Sequence, residues 1–457
     1  MSKEQVNKSS FKPSTKNKLR AELWDKLHFI LNHSTDRMMR GELLYDGLIQ
    51  DDVLRKALLH VTETHPVLHS SFRDHFINPY WEVRPYTLDD ILTVIHTEEP
   101  SRARQDFMNR VIPADCNVQY RVAVINPENA PSNRADAPNN RESRSLLCIM
   151  INHMCMDGRG ILTFLHQLAL CYQRVYAGLP LPVLETGGRE YSKIYTGMSL
   201  PQRVRANLLL KNITRLKEKR TFAYTPEELS DQLQIVSQKW DIDSFARVRA
   251  IAKQKDVTVN DMLLASYVQA LHETSGFPLG KPLTITCMVD NRRHMKQPTA
   301  KESQPVTMGL TNHVGLMQMR VDCCGATIKE TIQQVKEATT REKNKRFFGL
   351  HGIPLIRLGY RLPFFLVKPG TLCWFTPPVL GFSNVGMIPE EQLKLGDLTL
   401  LDIMLMGPSQ YKPNITVFIQ MFRNTLIFTT AVRGNEKDKE KIRELFARMK
   451  KHLQECM

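Results

Sequence analysis

The sequence predicts a layered α/β or α+β fold built as two similar halves. Three observations carry that expectation. The chain has 457 residues, more than one sheet-based core usually grows to. Strand-like and helix-like segments alternate along it, and the order of the first half recurs loosely from about residue 234. The stretch SLLCIMI, residues 145–151, is apolar at nearly every position, the pattern of a strand covered on both faces.

Residues 1–17 are polar and basic and are read as a disordered arm. They lack the apolar segment of a secretory signal, so no leader is expected. The first half, 18–180, opens with a strand at GELLYDGLI. A helix follows, capped at Asp51-Asp52, with Leu54, Ala57, Leu58 and Val61 on one face and Pro66 as its stop. NVQYRVAVI is the next strand. The turn-rich NPENAPSNRADAPNNRESR is a long exposed loop, and SLLCIMI returns from it. After Gly158 a helix carries Ile161, Leu165, Leu168 and Tyr172 at helical spacing and ends near Gly178-Leu179-Pro180.

Residues 181–233 form a connector. Within it LPQRVRANLLLKNITRLKEKR reads as a helix with Pro201 in its first turn. Leu209, Ile213 and Leu216 share one face, and seven Arg/Lys stand against one Glu. The second half, 234–457, starts with a helix at SFARVRAIAKQ. A second helix, VTVNDMLLASYVQALHE, has Asn260 as its expected cap. LTITCMVD and VGLMQMRVD are strands, and ATIKETIQQVKEATTREKNK is a helix. NITVFIQMF and TLIFTTAV form a hairpin across Arg423-Asn424. The last helix carries Ile442, Leu445, Phe446, Met449 and Leu453 on one face.

Composition narrows the function classes. An apolar share of 42% suits a soluble globular chain, and no apolar run reaches the roughly 18 residues of a membrane span. The nine scattered cysteines show no metal or disulfide spacing, which fits a reducing cytoplasm. The net charge of +15 favours anionic partners. With no zinc-finger spacing, aromatic RNA-binding signature or P-loop, nucleic acid is not expected among them. The basic connector and the apolar-basic zone FFGLHGIPLIRLGYRLPFFLVKPG are read either as solvated surface or as contacts with an anionic membrane or an acidic carrier protein.

One stretch concentrates the chemistry: INHMCMDGRG, residues 151–160. His153 and Asp157 are four apart, but Gly158 and Gly160 make a turn of the segment, and no H-E-x-x-H or second ligand cluster accompanies them, so no metal is expected. A structural reading makes His153 a buried ring bonded to a carbonyl. A catalytic reading makes it a general base at the carboxyl end of a buried strand, where open α/β sheets bind ligands. Gly158 would let the chain reverse tightly beside it. Asp157 would either orient the imidazole or pair with an arginine to hold the loop.

NHMCMDG resembles the H-H-x-x-x-D-G signature of the chloramphenicol-acetyltransferase-like superfamily. That group includes alcohol O-acetyltransferases, wax-ester/diacylglycerol acyltransferases, polyketide-associated acyltransferases and peptide-synthetase condensation domains. Supporting segments follow in order: LLYDGLIQDDVLRKALLHVTETHPVLHSSF, VTVNDMLLASYVQAL, ITCMVDNRR, GLTNHVG and GFSNVG. The resemblance spans most of residues 20–455. It implies two chloramphenicol-acetyltransferase-like halves forming a V around a central tunnel. Acyl-CoA or an acyl carrier protein would enter from one face, and an alcohol or amine acceptor from the other. No resident cofactor is implied; the donor is a coenzyme A or phosphopantetheine thioester. The resemblance makes His153 the base and Asp157 a structural residue paired to an arginine, with Arg292, Arg293 and Arg73 the candidates.

Two departures stand out. Asn152 replaces the first signature histidine, and Leu68-His69 stands where the family has Leu-Arg. The plant motif D-F-G-W-G is absent, and no carrier or adenylation domain is seen, so a free-standing monomeric O-acyltransferase is expected, cytoplasmic or peripheral at a membrane. The alternatives are an amide-forming condensation enzyme and a silent binding relative. Ser383 and Asn384 are candidates for the oxyanion or tunnel wall, with a turn role equally open to Asn384. Asn312 is a weaker candidate of the same kind. His65, His69 and His313 are expected to be structural, and Met154 and Met156 to be wall or core.

Overall fold

The computed structural model describes residues 17–128, 144–208, 218–226, 232–240, 242–295, 309–345, 347–350, 353–375 and 377–456. The amino-terminal arm, the middle of the long loop and the connector face of Leu209, Ile213 and Leu216 lie outside the described residues. In chain order the first half contains β1 (Lys18–Arg20), α1 (Leu23–Ile30), β2 (Met38–Tyr45), α2 (Asp51–Thr64), β3 (Ser70–Arg73), β4 (Tyr80–Val83), β5 (Leu92–Thr97), α3 (Pro100–Met108), β6 (Tyr120–Pro127), β7 (Leu146–Asn152) and α4 (Gly158–Tyr176). The connector contributes α5 (Leu200–Leu208). The second half contains β8 (Leu233–Trp240), α6 (Ile242–Gln254), α7 (Val259–Ser275), β9 (Leu283–Asp290), β10 (Val314–Val321), α8 (Ile328–Lys343), α9 (Ile353–Gly359), α10 (Phe364–Trp374), β11 (Leu380–Ile388), β12 (Leu400–Met406), β13 (Gln410–Tyr411), β14 (Ile415–Phe422), β15 (Thr425–Arg433) and α11 (Glu436–Glu455).

Two large sheets, each with its own core, organise the chain, and a small three-stranded sheet, β1-β4-β3, lies in the first half. The first sheet runs β12-β2-β7-β6-β5. β7 is its buried centre, and its side chains alternate between two clusters. Leu147, Ile149 and Ile151 join α2 and α4, while Cys148 and Met150 pack with Phe107 and Met108 of α3. The second sheet runs β10-β9-β11-β14-β15-β13, with β8 on β15, and α7 and α11 cover it. β14 and β15 pair antiparallel across Arg423-Asn424, as the sequence predicts. All five expected apolar positions of α11 are buried.

Local signals placed the helix ends less well. Gln50, not Asp51-Asp52, occupies the cap position of α2, and the two aspartates lie in its first turn, where the helix dipole favours them. The cap of α7 is Thr258, in a reciprocal box with Asp261, not Asn260. A strand absent from the sequence reading, β12, leaves the second half and pairs with β2 of the first, Leu400 against Tyr45 and Met406 against Arg40.

Candidate functional site

A cavity of about 180 Å³ lies between the halves. The first half contributes α1, Met39 of β2, His153, Gly158 and Ile161; the second contributes Met288, Leu316, Ser383, Thr416 and Phe418. Its wall is mostly apolar, as an acyl chain would require.

His153 follows the last residue of β7. Its backbone N–H donates to the Arg37 carbonyl at 2.7 Å, and its own carbonyl accepts from Asn312 Nδ2 at 2.8 Å. The ring's Nδ1 lies 2.8 Å from the Met156 carbonyl. A carbonyl only accepts, so Nδ1 carries the proton and Nε2 is the acceptor of the neutral ring. Burial lowers the pKa of His153, and hydrogen bonds and the Asp157 charge offset this in part. The ring stacks on His28 of α1 at 4.2 Å between centroids. His28 is itself held well below the ordinary histidine value by burial and by the nearby His153 and Arg37.

Asp157 caps α4, and its carboxylate oxygens are taken up by partners other than the His153 ring. Its Oδ1 accepts from Gly160 N at 2.9 Å and Arg292 Nη2 at 3.0 Å; its Oδ2 accepts from Arg292 Nη1 and His313 N, both at 2.8 Å. Both partners of this pair are 4% exposed. Burial alone would raise the carboxyl pKa, but the Arg292 charge and the hydrogen bonds hold it below the ordinary value. The other candidate arginines lie elsewhere. Arg293 stacks over Phe348, and Arg73 pairs with Glu82 across β3 and β4.

The remaining candidates divide. Ser383 lines the cavity. Asn384 does not; it is exposed, bonds Asn260, and accepts from Gly386 N at a bulge of β11 where Gly386 has φ of 85°. Asn312 is buried and ties the second half to the carbonyls of His153 and Met154. Asn152 points to the other side of the strand end, donating to Gln119 Oε1 and accepting from Met154 N. Gly158 lines the cavity with open space where a Cβ would stand. The tight approach expected at Gly158 belongs to Gly160, where a Cβ would come within 2.6 Å of Met156 Cβ. His65 bonds Gln167, His69 bonds the Arg84 carbonyl, and Met154 and Met156 are core.

Sequence reasoning missed Arg189. This connector residue pairs with Asp25 and donates to the carbonyls of Met154, Cys155 and Leu310, clasping the motif loop from outside. A lone arginine in TGGRE carries no periodic or spacing signal, and the same holds for His28 and Arg37. Among the described residues, no group of three His, Cys, Asp or Glu could hold a metal, and no helix is long and apolar enough to cross a membrane.

A family model described as Condensation domain matches residues 27–353. No curated protein matches. Among solved structures, trichothecene 15-O-acetyltransferase from Fusarium sporotrichioides aligns with a TM-score of 0.69 at 11% identity, covering 96% of each chain. The first condensation domain of the calcium-dependent antibiotic synthetase, in complex with a substrate analogue, aligns at 0.65 and 15% identity, also over 96% of each. A mutant starter condensation domain of rhizomide synthetase, in complex with C8-CoA and Leu-SNAC, aligns at 0.65 and 12% identity over 96% of this chain and 95% of that one. These likenesses extend over nearly the whole chain and concern the fold.

Proposed function

The chain belongs to the condensation-domain family, and from that premise we propose that it transfers an acyl group from a thioester to a hydroxyl, with His153 as general base. The observation that carries this reading is the 2.8 Å contact of His153 Nδ1 with the Met156 carbonyl. With Nδ1–H committed to the Met156 carbonyl, Nε2 is the basic atom, on a ring that lines the cavity. Nε2 would take the proton of the acceptor hydroxyl as its oxygen attacks the thioester carbonyl. The C–S bond then breaks as the tetrahedral intermediate collapses, and the imidazolium returns its proton to the thiolate. The amino end of α4 at Gly158 and the Ser383 hydroxyl, both on the cavity wall, are the donors suited to the oxyanion. Asp157 and Arg292 would hold the loop rather than touch the reacting atoms.

The donor would be an acyl-CoA or an acyl carrier protein. The family match itself favours a second reading, amide formation with an amine acceptor. A mass-spectrometric screen of acyl-CoA donors against pooled alcohols and amines tests both. Ester products support the first reading and amides the second. His153→Ala is expected to lose about 10²- to 10⁴-fold in rate; retention of most of the rate would sink the base assignment.

Peripheral contact with an anionic membrane is part of the same proposal. Leu358, Leu362, Phe365 and Leu366 of the α9–α10 region are half or more exposed, beside Arg357, Arg361 and Lys368. α10 packs on α1, and Phe375 just beyond it lines the cavity, so a lipid-embedded α10 would bring apolar substrates to that wall.

A further inference from the structure

We propose that Arg37 recognises a carboxylate carried by a substrate of the central cavity, which rests on the reading that this cavity takes substrate. Arg37 precedes β2, is 9% exposed, and lines two cavities. One is the apolar cavity that holds His153; the other, about 620 Å³, is bordered by Asn32, Arg73, Asp74, His75 and Asp115. Its backbone carbonyl receives the His153 N–H, so its main chain is one hydrogen bond from the base.

The buried arginines around it are paired. Arg292 holds Asp157, Arg189 holds Asp25, and Arg40 and Arg433 share Asp36. That last pairing removes Asp36, the neighbour of Arg37, as a counter-ion; its oxygens also accept from Met38 N and Ser409 N. Among the described residues Arg37 forms no ion pair. Its Nη1 reaches Met154 Sδ at 3.5 Å, a weak acceptor, and its Nε is buried with no hydrogen-bond partner. Asp36, Tyr411 and Asp115 act on Arg37 only from beyond ion-pair distance, and a buried cation without a direct counter-ion is costly, a cost that a ligand supplying the charge would relieve.

Within the inner cavity the charged lining residues are Arg37 and Asp157, and Arg292 neutralises the second. Among the described residues, a substrate anion in this cavity therefore meets net positive charge at Arg37. A planar monoanion suits a guanidinium through two parallel N–H···O bonds. On the outer cavity Lys368 neutralises Asp74, and Asp115 disfavours a dianion such as phosphate more than a monoanion.

The test is calorimetric titration of the full chain with butyrate and with butyramide, its neutral isostere. Wild type is expected to bind butyrate more tightly, and Arg37→Met to weaken butyrate by about 10- to 100-fold while leaving butyramide unchanged. Equal binding of the two probes, or unchanged butyrate affinity in Arg37→Met, overturns the proposal. Melting gives a second readout. Arg37→Met removes an unpaired buried charge and is expected to melt no lower than wild type; a loss of several degrees makes Arg37 a structural residue and refutes its role. Butyrate binding is expected to persist in His153→Ala, whose turnover tests the acyltransferase reading separately. Comparing 4-hydroxybutyrate with 1-butanol, and succinyl-CoA with butyryl-CoA, then assigns the carboxylate to acceptor or donor.

Discussion

Replacing Asp157 by asparagine tests whether this aspartate is a clamp or a catalytic partner. Its two oxygens accept four N–H groups, and each oxygen serves one guanidinium nitrogen and one backbone amide. An asparagine offers one carbonyl oxygen and one NH₂. Whichever way the amide turns, one Arg292 N–H and one backbone N–H face a donor instead of an acceptor. Arg292 also loses its main counter-charge, keeping the partly exposed Asp290 at 3.1 Å. Breaking a buried pair by removing one partner costs roughly 3–5 kcal/mol. At about 2–4 °C per kcal/mol for domains of this size, the midpoint should fall by roughly 6–20 °C. The assay is calorimetric melting of Asp157→Asn, Arg292→Met and the double variant that combines the two. The double variant buries no lone charge, so it should lose less than the sum of the single variants. The pH dependence of acyl transfer, measured alongside, should keep its acid limb in Asp157→Asn, because His153 Nδ1–H is held by the Met156 carbonyl. Two results refute the reasoning: a midpoint within about 2 °C of wild type, or single-variant losses that simply add.

Three further expectations follow from the same geometry. Gly160→Ala drives a methyl into Met156 and should lower both stability and turnover, whereas Gly158→Ala should fold normally and alter substrate choice, since its Cβ would stand in open space on the cavity wall; melting and donor profiles of the two variants check this. Burial and the neighbouring Arg292 push the His313 pKa down to about 4, so the folded state binds fewer protons than the unfolded one. Its contribution is complete above pH 6.5 and is lost as pH falls from there toward 4, by about 3 kcal/mol; His313→Phe should melt with a shallower pH dependence, and parallel curves would refute it. Vesicles rich in anionic lipid should co-sediment the protein in a salt-sensitive way, and Leu362→Glu with Phe365→Glu should abolish this without changing the melting midpoint, both side chains being exposed.

Much of the fold was legible because it is local. β7, α4, α11 and the β14–β15 hairpin announce themselves by period and turn chemistry, and the folded chain buries the predicted faces. The motif at 152–158 was legible because its seven residues are contiguous. What escaped was tertiary. β12 reads as an ordinary apolar run whose partner is remote in sequence. Arg189, His28 and Arg37 reach the site from three different segments, and only their packing brings them there. Among three arginines, Arg292 stands out because it closes a short turn after β9, with Asp290 accepting its backbone N–H. Of the two roles open to Asn384, the local one fits: its amide oxygen serves Gly386 N at a bulge, which turns the side chain outward.

The pairing of β12 with β2 also sets the order in which the chain can be completed. While the ribosome works toward residue 400, β2 keeps one edge bare, with unpaired N–H and C=O groups beside Leu43 and other apolar side chains. At typical elongation rates that interval is on the order of tens of seconds. Closing the first sheet then requires a loop that runs from β7 through the connector to β11, the kind of non-local contact that slows folding. The first half cannot close its sheet alone, and nascent chains truncated before β12 should be selected by chaperones over full-length ones.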